Sequence, residues 1–292
     1  MRISKLPWVL CAAILVLLAG CVSRTRRVSP PGGVLQPALE ASKAELIQRY
    51  NRQAGAVQGL NAAARLEAET GSAFSGVIKQ YRQISALLLA ERPAQLRVVG
   101  QAPVVGTDLF DMVSDGVTFR MYVPSKHEFL TGPARLERPG KRTLENLRPQ
   151  PIFDALIWPA IAPGEPVTIE EEDVEQPPSR DYVLTVLRGA GPSLAIRRRI
   201  WFDRSDLRVS RRETYEPDGR LESDVRYGDW RGAGGGLEFP RRIALSQPSE
   251  DYRLEIDVTR VTLNSPLPDS RFQLRQPAGT KLIEVAKGGG KP

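Results

Sequence analysis

Apolar and polar residues alternate along most of this chain. Ala62, Ala64, Leu66 and Ala68 interleave with Ala63, Arg65, Glu67 and Glu69. The same rhythm returns in Val117, Phe119, Met121 and Val123 against Thr118, Arg120 and Tyr122, and in Tyr252, Leu254, Ile256 and Val258 against Arg253, Glu255 and Asp257. A period of two puts one set on a buried face and the other in water, which predicts strands. Asp115-Gly116 and Asp218-Gly219 separate strand-like runs as hairpin turns, and Gly189 to Pro192 and Gly232 to Gly236 mark two more. The pattern predicts about ten strands joined mainly as an antiparallel meander.

In two places the period becomes helical. Leu39, Leu46, Ile47 and Tyr50 share a face from Ala38 to about Arg52, with Ser42 and Glu45 near the start. Between Pro149 and Pro163 the apolar run Ile152, Phe153, Leu156, Ile157, Trp158 predicts a short helix over about 151–158, laid over a sheet. A large twisted sheet with one apolar face must bury it, and these helices are the cover the sequence offers. The expected fold is mainly β with α+β character: a curved antiparallel incomplete β-barrel with a helical lid. Imperfect cover would leave a greasy hollow.

The N-terminus follows another pattern. Arg2 and Lys5 precede an apolar run from Trp8 to Leu18, then Ala19, Gly20 and Cys21. That run is too short to span about 30 Å of hydrocarbon and reads as a secretory signal. With the small pair before Cys21, it resembles a bacterial lipoprotein signal. The resemblance implies cleavage after residue 20 and a diacylglycerol on Cys21. Residues 21–37, rich in Pro and Gly, read as a tether, 38–285 as one domain and 286–292 as a disordered tail. Val22, rather than Asp, after the lipidated cysteine implies release to the outer membrane, facing the periplasm.

Composition narrows the chemistry. Cys11 and Cys21 are the two cysteines, so the domain itself has neither disulfide nor free thiol. The formal charge of +7 includes Arg2 and Lys5 of the signal, and no basic block alternates with aromatics as a nucleic-acid groove requires. His127 is the single histidine, which excludes a His/Cys metal site, and no nucleophile elbow, P-loop or dinucleotide fingerprint occurs. The acidic run Glu170 to Asp173 reads as a wet surface rather than an acid/base pair. The chain is expected to be no enzyme and to need no cofactor or metal.

Several segments together resemble the LolA/LolB-like superfamily of lipoprotein-sorting proteins. They are Arg49-Tyr50, Gln95 to Gly100, Val113 to Phe119 leading to Tyr122-Val123-Pro124, Phe129 to Gly132, Ile200 to Asp203, Tyr215 to Gly219, Glu238 to Ile243, and Asn264 before Phe272. The resemblance implies an incomplete barrel that holds lipid chains. Being a lipoprotein likens the chain to the system's outer-membrane receptor, whose apolar loop tip helps deliver cargo to the bilayer. The matching loop is Gln101 to Gly106, with Pro103, Val104 and Val105 at its tip. The valines either enter the bilayer interface or fold back onto the sheet.

Taking a chain of about 16 carbons from water is worth on the order of 12 kcal/mol, so a carrier needs a long apolar lining. The candidates are Leu96, Val98, Phe119, Met121, Ile200, Phe202, Leu254 and Ile256, with Phe153, Leu156 and Trp158 from the lid. In sequence alone they read equally as a closed core. Arg198 interrupts the apolar face Leu194, Ile196, Ile200, Phe202; it meets a headgroup or lid carbonyl, or its guanidinium escapes at the sheet edge. The expected partners are a membrane through the N-terminal lipid, an acyl chain or lipoprotein cargo, and a periplasmic carrier or envelope protein. The alternative is an assembly lipoprotein that offers Arg197, Arg199 and Trp201 on an outer face to a protein partner.

Overall fold

The structure, a computed structural model, describes residues 37–71, 78–103, 106–135, 148–175 and 178–285. The signal, Cys21, the tether up to residue 36, Val104, Val105 and the tail lie outside the described residues.

The first helix, α1 (Lys43–Ala56), starts later than the periodicity predicts because Ser42 caps it. The Ser42 hydroxyl accepts from the Glu45 amide, and the Glu45 carboxylate accepts from the Ser42 amide at 2.7 Å. Leu39 therefore lies outside the helix, half exposed, with its amide on the Arg204 carbonyl at 2.7 Å. Leu46, Tyr50 and Ala54, four apart, are the buried stripe.

Six strands follow: β1 (Gly59–Thr70), β2 (Lys79–Glu91), β3 (Gln95–Gln101), β4 (Asp108–Ser114), β5 (Thr118–Val123) and β6 (Glu128–Pro133). After the second helix, α2 (Pro149–Leu156), come β7 (Val167–Glu175), β8 (Pro178–Arg188), β9 (Ala195–Asp203), β10 (Val209–Tyr215), β11 (Leu221–Gly232), β12 (Glu238–Gln247), β13 (Tyr252–Leu263) and β14 (Lys281–Glu284). The sheet is open, in the order β14-β6-β5-β4-β3-β2-β1-β13-β12-β11-β10-β9-β8-β7. Every pairing is antiparallel except β14 with β6.

Fourteen strands replace the expected ten or so. The additional ones carry charge in their pattern and satisfy it across strands: Glu170 of β7 meets Arg199 of β9 at 2.6 Å, and Arg211 of β10 meets Asp224 of β11 at 2.8 Å. Val117, expected in a strand, lies in the turn before β5 and is exposed, its amide bonded to Asp115. Leu194 and Ile196 are also exposed, so the buried face of β9 begins at Arg198.

The chain leaves β6 near one edge of the sheet and re-enters at β7, the opposite edge. The described residues 134–135 and 148–166 belong to that crossing, and α2 lies within it. This helix touches β3 and β4 on one side and β12 on the other. In a flat sheet β4 and β12 would stand about 24 Å apart, whereas eight residues of helix span about 12 Å. The sheet is therefore curled around α2, and Ile152, Phe153, Ala155 and Leu156 are all buried against it. No helix among the described residues is long and apolar enough to cross a membrane.

Candidate functional site

Two features occupy the inside of the curled sheet: a fastened strap and an apolar hollow beside it. The strap is the stretch that leaves α2, residues 154–161. The helix stops at Leu156, two residues short of the expected end, and Ile157 leaves it in an extended conformation toward Trp158 and Pro159. Buried carbonyls there need donors, and side chains from all round the sheet supply them. Arg212 of β10 donates to the Asp154 carbonyl and Tyr227 of β11 to that of Ala155 at 3.2 Å. Arg92, just after β2, reaches the Trp158 carbonyl at 2.7 Å and also that of Ala54 in α1. Tyr50 and Arg198 both donate to Pro159, at 3.0 and 2.8 Å, and Arg198 continues to Ala160 at 3.1 Å and Glu165 at 3.3 Å. Asn51 closes the series with reciprocal bonds to Ile161 at 3.0 and 2.8 Å.

Aromatic packing completes the strap. Trp158 stacks on Tyr50 with centroids 5.5 Å apart and meets Tyr227 and Trp230 at 5.1 and 5.9 Å. Burial lowers the Arg198 pKa and raises that of the Tyr227 hydroxyl, each disfavouring its charged form. Arg198 thus points inward onto backbone carbonyls, and its guanidinium does not escape at the edge.

The hollow has a volume of about 280 Å³ and lies between β1 to β4, the end of β5, α2 and β13. Leu66, Leu88, Val98, Met112, Ile152, Leu254 and Ile256 form much of its wall. Tyr81, Leu109, Ser125 and Lys126 are exposed lining residues and mark its mouth. The mouth lies at the end of the sheet where Thr70 pairs Tyr252 and where the β3–β4 loop turns. Pro103 is exposed in that loop, and Ile78 is exposed beside the β1–β2 connection.

Every one of the eleven expected lining residues belongs to the buried core, but only Val98, Leu254 and Ile256 line this hollow. Leu96, Phe119, Met121, Phe153, Leu156 and Ile200 are packed core. Trp158 and Phe202 border a second, more polar recess of about 440 Å³, together with Tyr50, Trp230, Arg49 and Arg52. The expectation missed Leu88, Phe110, Met112 and Ile152. Ile152 belongs to the apolar run that predicts α2, and Leu88 and Met112 alternate with neighbours as strand residues do; that signal does not separate wall from core.

Trp201 departs from its expected exposed position. Its ring is buried between the guanidiniums of Arg199 and Arg211, each 4.8 Å from the centroid, and its N–H donates to Glu172 at 3.0 Å. The acidic run is likewise occupied: Glu171 pairs Arg204 at 2.6 Å, beside the Glu170 pair with Arg199. His127 is exposed, in the left-handed region at φ 49°. Among the described residues no three of His, Cys, Asp and Glu are grouped to hold a metal ion.

The fold, an open sheet curled round a short buried helix, is similar to that of a solved structure. A solved domain from Vibrio parahaemolyticus, described as a putative outer membrane lipoprotein-sorting protein domain, superposes with a TM-score of 0.50 at 13% identity, covering 78% of this chain and 94% of its own. A LolA superfamily protein from Nitrosomonas europaea aligns with a TM-score of 0.48 at 15% identity, over 80% of this chain and 99% of its own. At 13% identity the likeness to the Vibrio domain is one of fold. No protein-family model matches the sequence, and no curated protein does.

Proposed function

We propose that this chain is an envelope lipoprotein, lipidated at Cys21 and held at the outer membrane. It takes an acyl chain, free or carried by lipidated cargo, into the hollow beside α2, and it catalyses no reaction. The observation that carries the reading is the hollow itself, walled almost wholly by apolar side chains and open at one end of the sheet. A fully packed core would have filled that volume, since interiors leave few voids larger than a water molecule. The fold shared with a putative lipoprotein-sorting domain supports the same reading. In it, α2 is the inner cover and the β3–β4 loop, at the mouth, is the delivery tip.

The hollow falls just below the range for ligand pockets, about 300–1,000 Å³, so it takes part of a chain as it stands and the whole of one only when its walls part. Native mass spectrometry of detergent-free protein should show co-purified lipid, and delipidated protein should bind a labelled fatty acid. Val98→Trp with Leu254→Trp, which fills the hollow, should abolish binding while circular dichroism keeps its β signature. A clean apo mass together with no uptake by the unaltered protein would overturn the reading.

A further inference from the structure

The wall of the hollow carries a single formal charge. Among the residues that line it, Lys126 is the one of a charged type, and it stands at the mouth, exposed, with Ser125 beside it. Both lie on the turn Pro124–Lys126 that ends β5. No ion pair among the described residues joins a carboxylate to this side chain, and several acids at this end of the sheet are engaged elsewhere. Asp108 accepts from Gln101 at 2.8 Å, Asp111 pairs Arg97 at 2.7 Å, and Glu69 accepts from Gln80. In the same wall, Leu88 and Ile152 are buried and apolar.

One apolar cavity with one cation at its rim matches an amphiphile with one chain and an anionic head. The chain leaves water, while the head stays where water still reaches it. A lysine suits this position because it is a compact charge with three rotatable donors, able to meet a carboxylate or a phosphate alike. The apolar wall lowers the local dielectric and strengthens the attraction beyond its value in open water. Without Arg2 and Lys5 of the signal the net charge is still +5, and it acts in the same direction at longer range.

We infer that Lys126, with the Ser125 hydroxyl as a second donor, selects the ligand by its head. The site takes single-chain amphiphiles that end in an anionic oxygen group, a carboxylate or a phosphate, in preference to neutral or cationic ones of equal chain length. This rests on the hollow being an acyl site and adds to it an orientation, chain inward and head at the turn.

The test is displacement of Nile red, an uncharged apolar dye, from the purified protein by dodecanoate, dodecyl phosphate, dodecanol and dodecyltrimethylammonium, each below its micellar concentration. Both anions should displace the dye at concentrations about five- to tenfold lower than dodecanol, with the ammonium weakest. Lys126→Ala should bring the anions level with dodecanol, and Lys126→Glu should put the ammonium first. Thermal melts serve as the control, because substitution of an exposed side chain leaves stability nearly unchanged. The same ranking in Lys126→Glu as in the unaltered protein would overturn the inference and leave the acyl site standing. Failure of all four compounds to displace the dye would overturn the acyl site itself, and the inference with it. Whichever anion ranks first, fatty acid or lysophospholipid chemistry, supports it.

Discussion

Arg198 shows what a single side chain contributes inside this sheet. Its guanidinium serves the carbonyls of Pro159 and Ala160 and the Glu165 carboxylate. Replacing it with Met would keep much of the packing volume and leave the Ala160 carbonyl and one Glu165 oxygen without this donor. The expected loss is about 2–4 kcal/mol in urea unfolding, with faster hydrogen exchange at residues 154–162 than in the sheet. A loss below about 0.5 kcal/mol would mean that water replaces the side chain. That Arg198 shares the inner face of β9 with Ile200 and Phe202 was legible in the sequence; its partners were not. Donors that serve backbone carbonyls nearly forty positions away leave no periodic trace, because any residue supplies a carbonyl. Trp201 failed for a related reason: alternation placed it on the outer face correctly, but two arginines cover that face, and only tertiary structure brings β10 alongside.

At the scale of elements, β3 and β4 set the width of the hollow through one glycine. Gly100 pairs with Phe110, whose ring lies so close that a Cβ at position 100 would fall 2.3 Å from it. The ring therefore lies flat against β3 and still lines the hollow. Gly100→Val should force the ring off the strand and into that space. Nile red affinity should fall about tenfold, for a stability cost of about 1–3 kcal/mol. Unchanged dye affinity would show that the ring turns outward instead. Turns and long strands were readable here because Asp-Gly pairs and clean alternation announce them. Strand number was not, since β7 and β10 carry acids and arginines that look like surface loops until their cross-strand partners are known. The position of the hollow was the least legible feature. A wall residue and a core residue are both apolar and both alternate, so Leu88 and Leu96 differ only in what faces them.

For the molecule as a whole, acidity enters through Glu250. Burial pushes its carboxyl up to about 7; Arg148 opposes this, while Glu222 and Glu216 add to it. One of its oxygens is buried with no hydrogen-bond partner among the described residues. A native pKa above the unfolded value means that the folded protein binds the extra proton, so this contribution is present in full below about 4.5 and is lost as pH rises through about 7. Glu250→Gln should remove that slope and stabilise the protein at pH 8 by about 1–2 kcal/mol, read from melts across pH 4–8. Identical slopes in both proteins would assign the dependence to other groups. The crossing between the two sheet edges has a wider consequence. On the β1–β6 side its fastenings among the described residues include Arg92, the Ala134 amide on Val117 and the Arg148 guanidinium over the Phe119 ring, all at the end away from the mouth. Along the hollow, by contrast, α2 presents a hydrocarbon surface, Ile152, to the wall. What the molecule holds and what holds the molecule together are thus assigned to different residues. The lining near the mouth is free to change through evolution, and the range of ligands with it, while the strap keeps the fold intact.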